Sequence, residues 1–196
     1  MRCELISWQE VQRLCIDLAR QIRVSGFRPD MIIAIARGGL IPARLVCDHL
    51  DMQVLDSIRI QHYLAGASRQ TKATLNYPLC TSITGLKILL VDDVNDTGDS
   101  LQLAVSYLRS HNPAEIRTAA MHQKTSTHFP IDYYAKKIVK WRWLIYPWAV
   151  HEDISGFIRR RSNPPQSVTE AREFLLKDFG IRLSEQRLNT ILEFMG

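Results

Sequence analysis

The stretch Ile88-Leu89-Leu90-Val91-Asp92-Asp93-Val94-Asn95-Asp96-Thr97-Gly98-Asp99-Ser100 carries residue types whose order suits chemistry. Its apolar half reads as a buried strand that delivers two adjacent carboxylates, Asp92 and Asp93, to a sheet edge. Asp96, Thr97, Gly98, Asp99 and Ser100 follow, at the start of a helix marked by Leu101, Ala104, Val105 and Leu108. A helix N-terminus offers unpaired amides and a positive dipole end, so this turn suits a phosphate. Gly98 lets the backbone come close, and the hydroxyls of Thr97 and Ser100 can donate to phosphate oxygens. Two carboxylates beside a phosphate would repel it, unless they bind sugar hydroxyls or a metal. The residues point to a phosphorylated sugar, with diol and metal at one end and phosphate at the other.

Two further groups bear on the same chemistry. Ala36-Arg37-Gly38-Gly39 follows the apolar run Met31 to Ala36. Its glycines free backbone amides, and Arg37 adds a fixed positive fork that suits a diphosphate. Arg-Gly-Gly taken alone is often just a turn. The run Trp141-Arg142-Trp143-Leu144-Ile145-Tyr146-Pro147-Trp148 is dense in aromatics. A Trp face can stack on a flat base, although aromatic clusters also fill cores. Lys124 follows a strand read over 116–122, and its bland alternative is an exposed surface lysine.

The segment 88–100 resembles the signature of type I phosphoribosyltransferases: apolar strand, acidic residue, Asp, two residues, then Asp-Thr-Gly-x-Ser/Thr. The match is contiguous over about 13 positions, far more specific than a lone glycine motif. Arg37-Gly38-Gly39, Lys124 and the Trp-x-x-x-Pro-Trp arrangement are similar to the 6-oxopurine members (hypoxanthine, guanine, xanthine). The resemblance implies that phosphoribosyl pyrophosphate and a purine base are the substrates, with Mg2+ as cofactor. It implies that Asp92 and Asp93 hold the ribose hydroxyls and the metal, directly or through those hydroxyls and water. Asp96 would stand near the reacting base nitrogen as general base or electrostatic stabiliser. Thr97, Gly98, Asp99 (by its backbone) and Ser100 would cradle the 5′-phosphate. Arg37, Gly38 and Gly39 would take the pyrophosphate, with Arg37 stabilising it as it leaves. Lys124 would meet the exocyclic oxygen of the base, and Trp143 with Leu144 would cover its ring.

The sequence departs from that pattern at three points. Asp92 stands where many relatives have Glu, and Asp99 where many have Lys, so the Asp99 side chain must point outward. Ala149-Val150 intervene before Glu152-Asp153, where relatives place an acid at or just after the Trp148 position. The preferred base therefore stays open. Adenine or a pyrimidine is the alternative acceptor, and a nucleotide-sensing regulator with a nucleic-acid-binding tail is the rival from another class.

The elements that must position these residues alternate strand and helix. A helix over 8–25 opens on the capping box Ser7-Trp8-Gln9-Glu10. Strands are predicted over 31–36, 54–60, 87–91, 116–122 and 133–139, and a helix over 40–50. The expected fold is α/β: a central parallel sheet flanked by helices, with a small hood and a C-terminal helical pair. Ligands of such sheets gather at the carboxyl ends of the strands. The expected domains are a catalytic domain over 1–162 and a helical extension over 166–196, beyond Asn163-Pro164-Pro165. Within the first lie a lid loop over 61–84, holding His62, Tyr63, Arg69 and Lys72, and a base-binding hood over 123–155. The extension carries a second capping box at Ser167, a stop at Gly180 and a cap at Ser184. Its apolar stripe needs a partner, either the catalytic domain or a second copy in a homodimer.

Composition narrows the class. The chain of 196 residues has an apolar fraction of 46% and a net charge of +5. That charge suits a polyphosphate or a nucleic acid. The tail mixes Arg172, Lys177, Arg182 and Arg187 with Glu170, Glu173, Asp178, Glu185 and Glu193, which argues against a DNA-reading helix. No run approaches the ~18 apolar residues of a membrane span, and the N-terminus lacks a signal-peptide pattern. Cys3, Cys15, Cys47 and Cys80 show no metal or redox spacing. The expectation is a soluble, cytoplasmic enzyme.

Overall fold

The computed structural model describes residues 1–64 and 71–195, without the side chains of 62–64, 71 and 72. The chain divides into two compact units. One comprises Val11–Trp141; the other joins Met1–Glu10 to Arg142–Gly196.

The larger unit is built on a six-stranded sheet of order β4-β3-β2-β5-β6-β7. Its strands are β2 (Met31–Ala36), β3 (Leu55–Leu64), β4 (Thr71–Tyr77), β5 (Lys87–Asn95), β6 (Glu115–Lys124) and β7 (Tyr133–Ile138). All neighbours pair parallel except β3 and β4, which form an antiparallel pair. Met31 to Ile35 are buried without interruption, as a parallel strand covered on both faces requires. Met31, Ile33, Ile35, Ile88 and Leu90 meet Leu101, Ala104, Val105 and Leu108 of helix α3 (Asp99–Arg109). Helix α2 (Leu40–Leu50) links β2 to β3, and α3 links β5 to β6. The order thus reverses direction between β2 and β5, which lie side by side with Ala34 opposite Val91. Such a switch point is where open sheets of this kind bind ligands.

Helix α1 (Trp8–Val24) begins as expected, with the Glu10 amide donating to Ser7 Oγ at 3.1 Å, and Val11, Leu14, Leu18 and Ile22 are buried. Two expectations need correction. The segment 61–84, expected as a polar lid loop, contains the end of β3 and all of β4. Strand β4 is an edge strand, where, among the described side chains, Ala73 and Leu75 pack on the core, so polarity there reflects one-sided burial. Arg69 lies outside the described residues, as do the side chains of His62, Tyr63 and Lys72. The hood expected over 123–155 is likewise divided: β7 is the opposite edge of the main sheet.

The smaller unit pairs β1 (Cys3–Leu5) parallel with β8 (Trp143–Ile145). Helices α4 (Val150–Arg159), α5 (Val168–Phe179) and α6 (Glu185–Glu193) complete it. Both tail helices carry the expected caps: Ser167 Oγ accepts from the Glu170 amide and Ser184 Oγ from the Arg187 amide. Gly180, at φ +73°, ends α5 in the left-handed conformation that glycine adopts without a Cβ penalty. The tail's apolar stripe finds its cover within this unit. Phe174, Leu175, Leu188 and Ile191 pack with Ile145, Val150, Ile154, Phe157 and Ile158. Contacts thus group the residues beyond the Pro-rich bend with residues 142–161. Among the described residues no helix is long and apolar enough to cross a membrane.

Candidate functional site

The two glycine-bearing loops meet because their strands are neighbours. Asp93 stands at the carboxyl end of β5, and a Cβ added to Gly38 would lie 2.2 Å from its Oδ2. Glycine at 38 therefore makes room for this carboxylate. Gly39 is confined by backbone: a Cβ there would meet the carbonyl oxygens of Val91 at 2.4 Å and Ile35 at 2.8 Å. Arg37 is exposed, and the peptide joining it to Ala36 is cis. Gly39→Ala should cost about 1–3 kcal/mol, since carbonyls of two core strands would have to move. Gly38→Ala should cost less, because the Asp93 side chain can turn away, and should act on donor affinity instead. Urea melts of both variants check this. A larger loss for Gly38→Ala would refute the packing.

Strand β5 runs through Asn95, so the acidic pair lies within the sheet, with Asp92 opposite Ala120. Asp92 is buried, and its Oδ1 accepts the Asp93 amide at 2.9 Å. Burial, reinforced by the neighbouring Asp93 charge, holds its carboxyl well above the usual carboxylate range. Such a pair suits diol hydroxyls, or a cation that relieves the repulsion. Among the described residues no three His, Cys, Asp or Glu side chains gather as metal ligands. A divalent ion here would take at most these carboxylates, which fits magnesium when phosphate oxygens and water complete its shell.

The Thr97–Ser100 turn is held from behind by residues 127–129, a feature the sequence reading missed. Gly98 has φ +103°, and a Cβ there would collide with Phe129 Cβ at 2.5 Å and Phe129 N at 2.9 Å. The His128 amide donates to Thr97 O at 3.0 Å. Buried Asn95 donates to Phe129 O and accepts from Thr127 Oγ1, both at 2.9 Å. The Asp99 side chain, 39% exposed, turns to Thr97 and His128. Its Oδ2 accepts from Thr97 Oγ1 at 2.8 Å, and its Oδ1 lies 3.5 Å from His128 Nε2. The Thr97 hydroxyl is thus engaged by Asp99, and Ser100 stands in the first turn of α3.

Asp96 and Lys124 come together as an ion pair. Lys124 Nζ donates to Asp96 Oδ2 at 2.6 Å, with 3% of the lysine side chain exposed and 30% of the aspartate's. Lys124 is therefore no surface lysine. Ser126 Oγ donates to Asp96 Oδ1 at 3.3 Å, and Trp141 Nε1 does so at 3.3 Å. Trp141 was legible only as part of an aromatic run, and its contacts to Asp96 had no sequence signal.

In the smaller unit, Trp143 Nε1 donates to Asp153 Oδ1 at 3.1 Å, and Leu144 is buried opposite Glu4. Trp143 keeps 38% of its surface exposed. Ala149 caps α4, and the Asp153 amide bonds its carbonyl, so Glu152 and Asp153 both stand in the first turn of that helix. Burial pushes the Asp153 carboxyl up to about 6, against the Trp143 hydrogen bond. Because the folded value is raised, this stabilising contribution is present below the ordinary 3.8 and lost as pH rises through about 6. Asp153→Asn keeps an acceptor for Trp143 without the buried charge. Its Tm should exceed the wild type's at pH 7.5 and show no gain at pH 3.5. An equal difference at both would be the contrary result.

Comparison with known proteins adds to this geometry. The model of the phosphoribosyl transferase domain matches residues 4–153. Xanthine-guanine phosphoribosyltransferase of Idiomarina loihiensis is 29% identical over 147 residues, covering 74% of this chain and 86% of that protein. Xanthine phosphoribosyltransferase 1 of Saccharomyces cerevisiae is 30% identical, covering 76% of this chain and 90% of its own length. The crystal structure of a purine phosphoribosyltransferase from Pyrococcus horikoshii superimposes with a TM-score of 0.66 at 31% identity, over 76% of this chain and 94% of that one. With the acidic strand end, the Thr97–Ser100 turn and the Arg-Gly-Gly loop assembled at one switch point, the conclusion is direct: this chain belongs to the phosphoribosyltransferase family.

Proposed function

We propose that the chain is a purine phosphoribosyltransferase, moving the 5-phosphoribosyl group from phosphoribosyl pyrophosphate to a 6-oxopurine. The products are a nucleoside 5′-monophosphate and pyrophosphate. The observation that carries this reading is the Asp96–Lys124 pair at 2.6 Å. An ammonium donor beside a carboxylate acceptor matches the neighbouring O6 and N7–H of a 6-oxopurine. The names of the relatives, which act on xanthine, guanine or hypoxanthine, point the same way.

In this mechanism the bond from C1′ to the pyrophosphate oxygen breaks as the base nitrogen bonds C1′. Positive charge grows on the ribose ring, and negative charge grows on the departing diphosphate. Asp92 and Asp93 hold the ribose hydroxyls, and the Thr97–Ser100 turn anchors the 5′-phosphate. Arg37 and the amides of Gly38 and Gly39 stabilise the leaving group. The base attacks C1′ through N9, Asp96 accepts the proton carried at N7, and Lys124 holds the exocyclic oxygen. Magnesium, held by Asp92 and Asp93 directly or through ribose hydroxyls, would neutralise charge on the donor's phosphates.

The test is a panel of hypoxanthine, guanine, xanthine and adenine with phosphoribosyl pyrophosphate and magnesium, read by pyrophosphate release. Release with the 6-oxopurines, lost in Asp93→Asn without loss of fold, is expected. Release with none of the four bases would defeat the proposal.

A further inference from the structure

Trp141 has no part in the mechanism above, yet it touches both members of the base-recognition pair. It follows β7, and half of its surface, 50%, is exposed, so core packing accounts for little of it. Its indole N–H donates to Asp96 Oδ1 at 3.3 Å. Its ring lies under the Lys124 ammonium, with Nζ 4.6 Å from the centroid. The two contacts use different parts of one side chain, a dipole for the acid and a π face for the cation.

When O6 of a purine takes the ammonium and its N7–H takes the carboxylate, Asp96 and Lys124 must part. A buried ammonium that leaves its anion needs another stabiliser, and an aromatic face supplies one. A carboxylate that loses its lysine keeps its place if other donors remain, here the indole and Ser126 Oγ. We propose that Trp141 is the positioning residue of this pair. It holds the ammonium and the carboxylate where the purine edge meets them, and so sets discrimination between 6-oxo and 6-amino bases. This inference rests on the purine reading above.

The test compares wild type, Trp141→Phe and Trp141→Leu with hypoxanthine and adenine, using saturating phosphoribosyl pyrophosphate and magnesium. Phe keeps a ring face and loses the N–H; Leu loses both. Trp141→Phe should lower kcat/KM for hypoxanthine about 3- to 10-fold and keep most of the preference over adenine. Trp141→Leu should cut that preference by about 10-fold. KM for the donor should stay at the wild-type value in both variants, as should Tm within a few degrees. An unchanged preference in Trp141→Leu overturns the inference, as do equal losses for the two bases or a raised donor KM. Failure of the purine reading shows separately, because the wild type itself would then release no pyrophosphate, and the inference falls with it.

Discussion

Asp96→Asn is expected to lower turnover by about 10²- to 10⁴-fold, the range for loss of a positioned general base. The same change should destabilise the fold, because Lys124 is left with 3% of its side chain exposed and no anion. Breaking a fully buried pair costs about 3–5 kcal/mol. Water reaches Asp96, whose side chain is 30% exposed, so about 2–3 kcal/mol is expected here. The double variant Asp96→Asn/Lys124→Met separates the two effects. It removes the stranded charge and should recover most of the stability, while turnover stays low. Urea melts and pyrophosphate release report them independently. Turnover within about 3-fold of wild type in Asp96→Asn would remove this residue from the chemistry.

Lys124→Met is expected to erase most of the discrimination between bases. Lysine is a pure donor, so it accepts nothing from the amino group of adenine and gains a bond from the oxygen of hypoxanthine, guanine or xanthine. A buried donor left unpaired costs about 1–3 kcal/mol, or roughly 10- to 100-fold in kcat/KM between the two classes of base. Met fills a similar volume without the charge, and Asp96 keeps Ser126 and Trp141 as donors. The fold should therefore survive, and the change should appear in the ratio of hypoxanthine to adenine use. Efficient use of adenine by the wild type would end this assignment and leave the donor site untouched.

Legibility in the sequence followed how local each signal was. Met31–Ala36 and Leu40–Leu50 have the same bounds in the structure as in the sequence reading. Each is an unbroken pattern closed by a strong stop, glycine after the strand and a polar turn after the helix. Strand β5 runs past Val91 to Asn95, because Asp92, Asp93 and Asn95 interrupt the apolar run that marks the strand. Strand β4 was invisible for a different reason. Among its described side chains, Ala73 and Leu75 pack on the core, too few to show a period of two.

The order of residues in 88–100 determined by itself that a strand end with two acids would precede a glycine-bearing turn at a helix start, since each step is a matter of neighbours along the chain. It determined likewise that Arg37 and its glycines would close another strand. That these strands are adjacent, so that Asp93 packs against Gly38, was decided by the sheet order. So was the pairing of Asp96 with Lys124, which are 28 residues apart. The tail's apolar stripe announced a missing partner, and packing against α4 supplied it. Trp141 on Asp96, Phe129 over Gly98 and Asn95 on residues 127–129 had no trace in local pattern. Spacing along a chain reports which face or turn a residue occupies, whereas which residues meet across strands depends on loop closure and packing of the whole sheet.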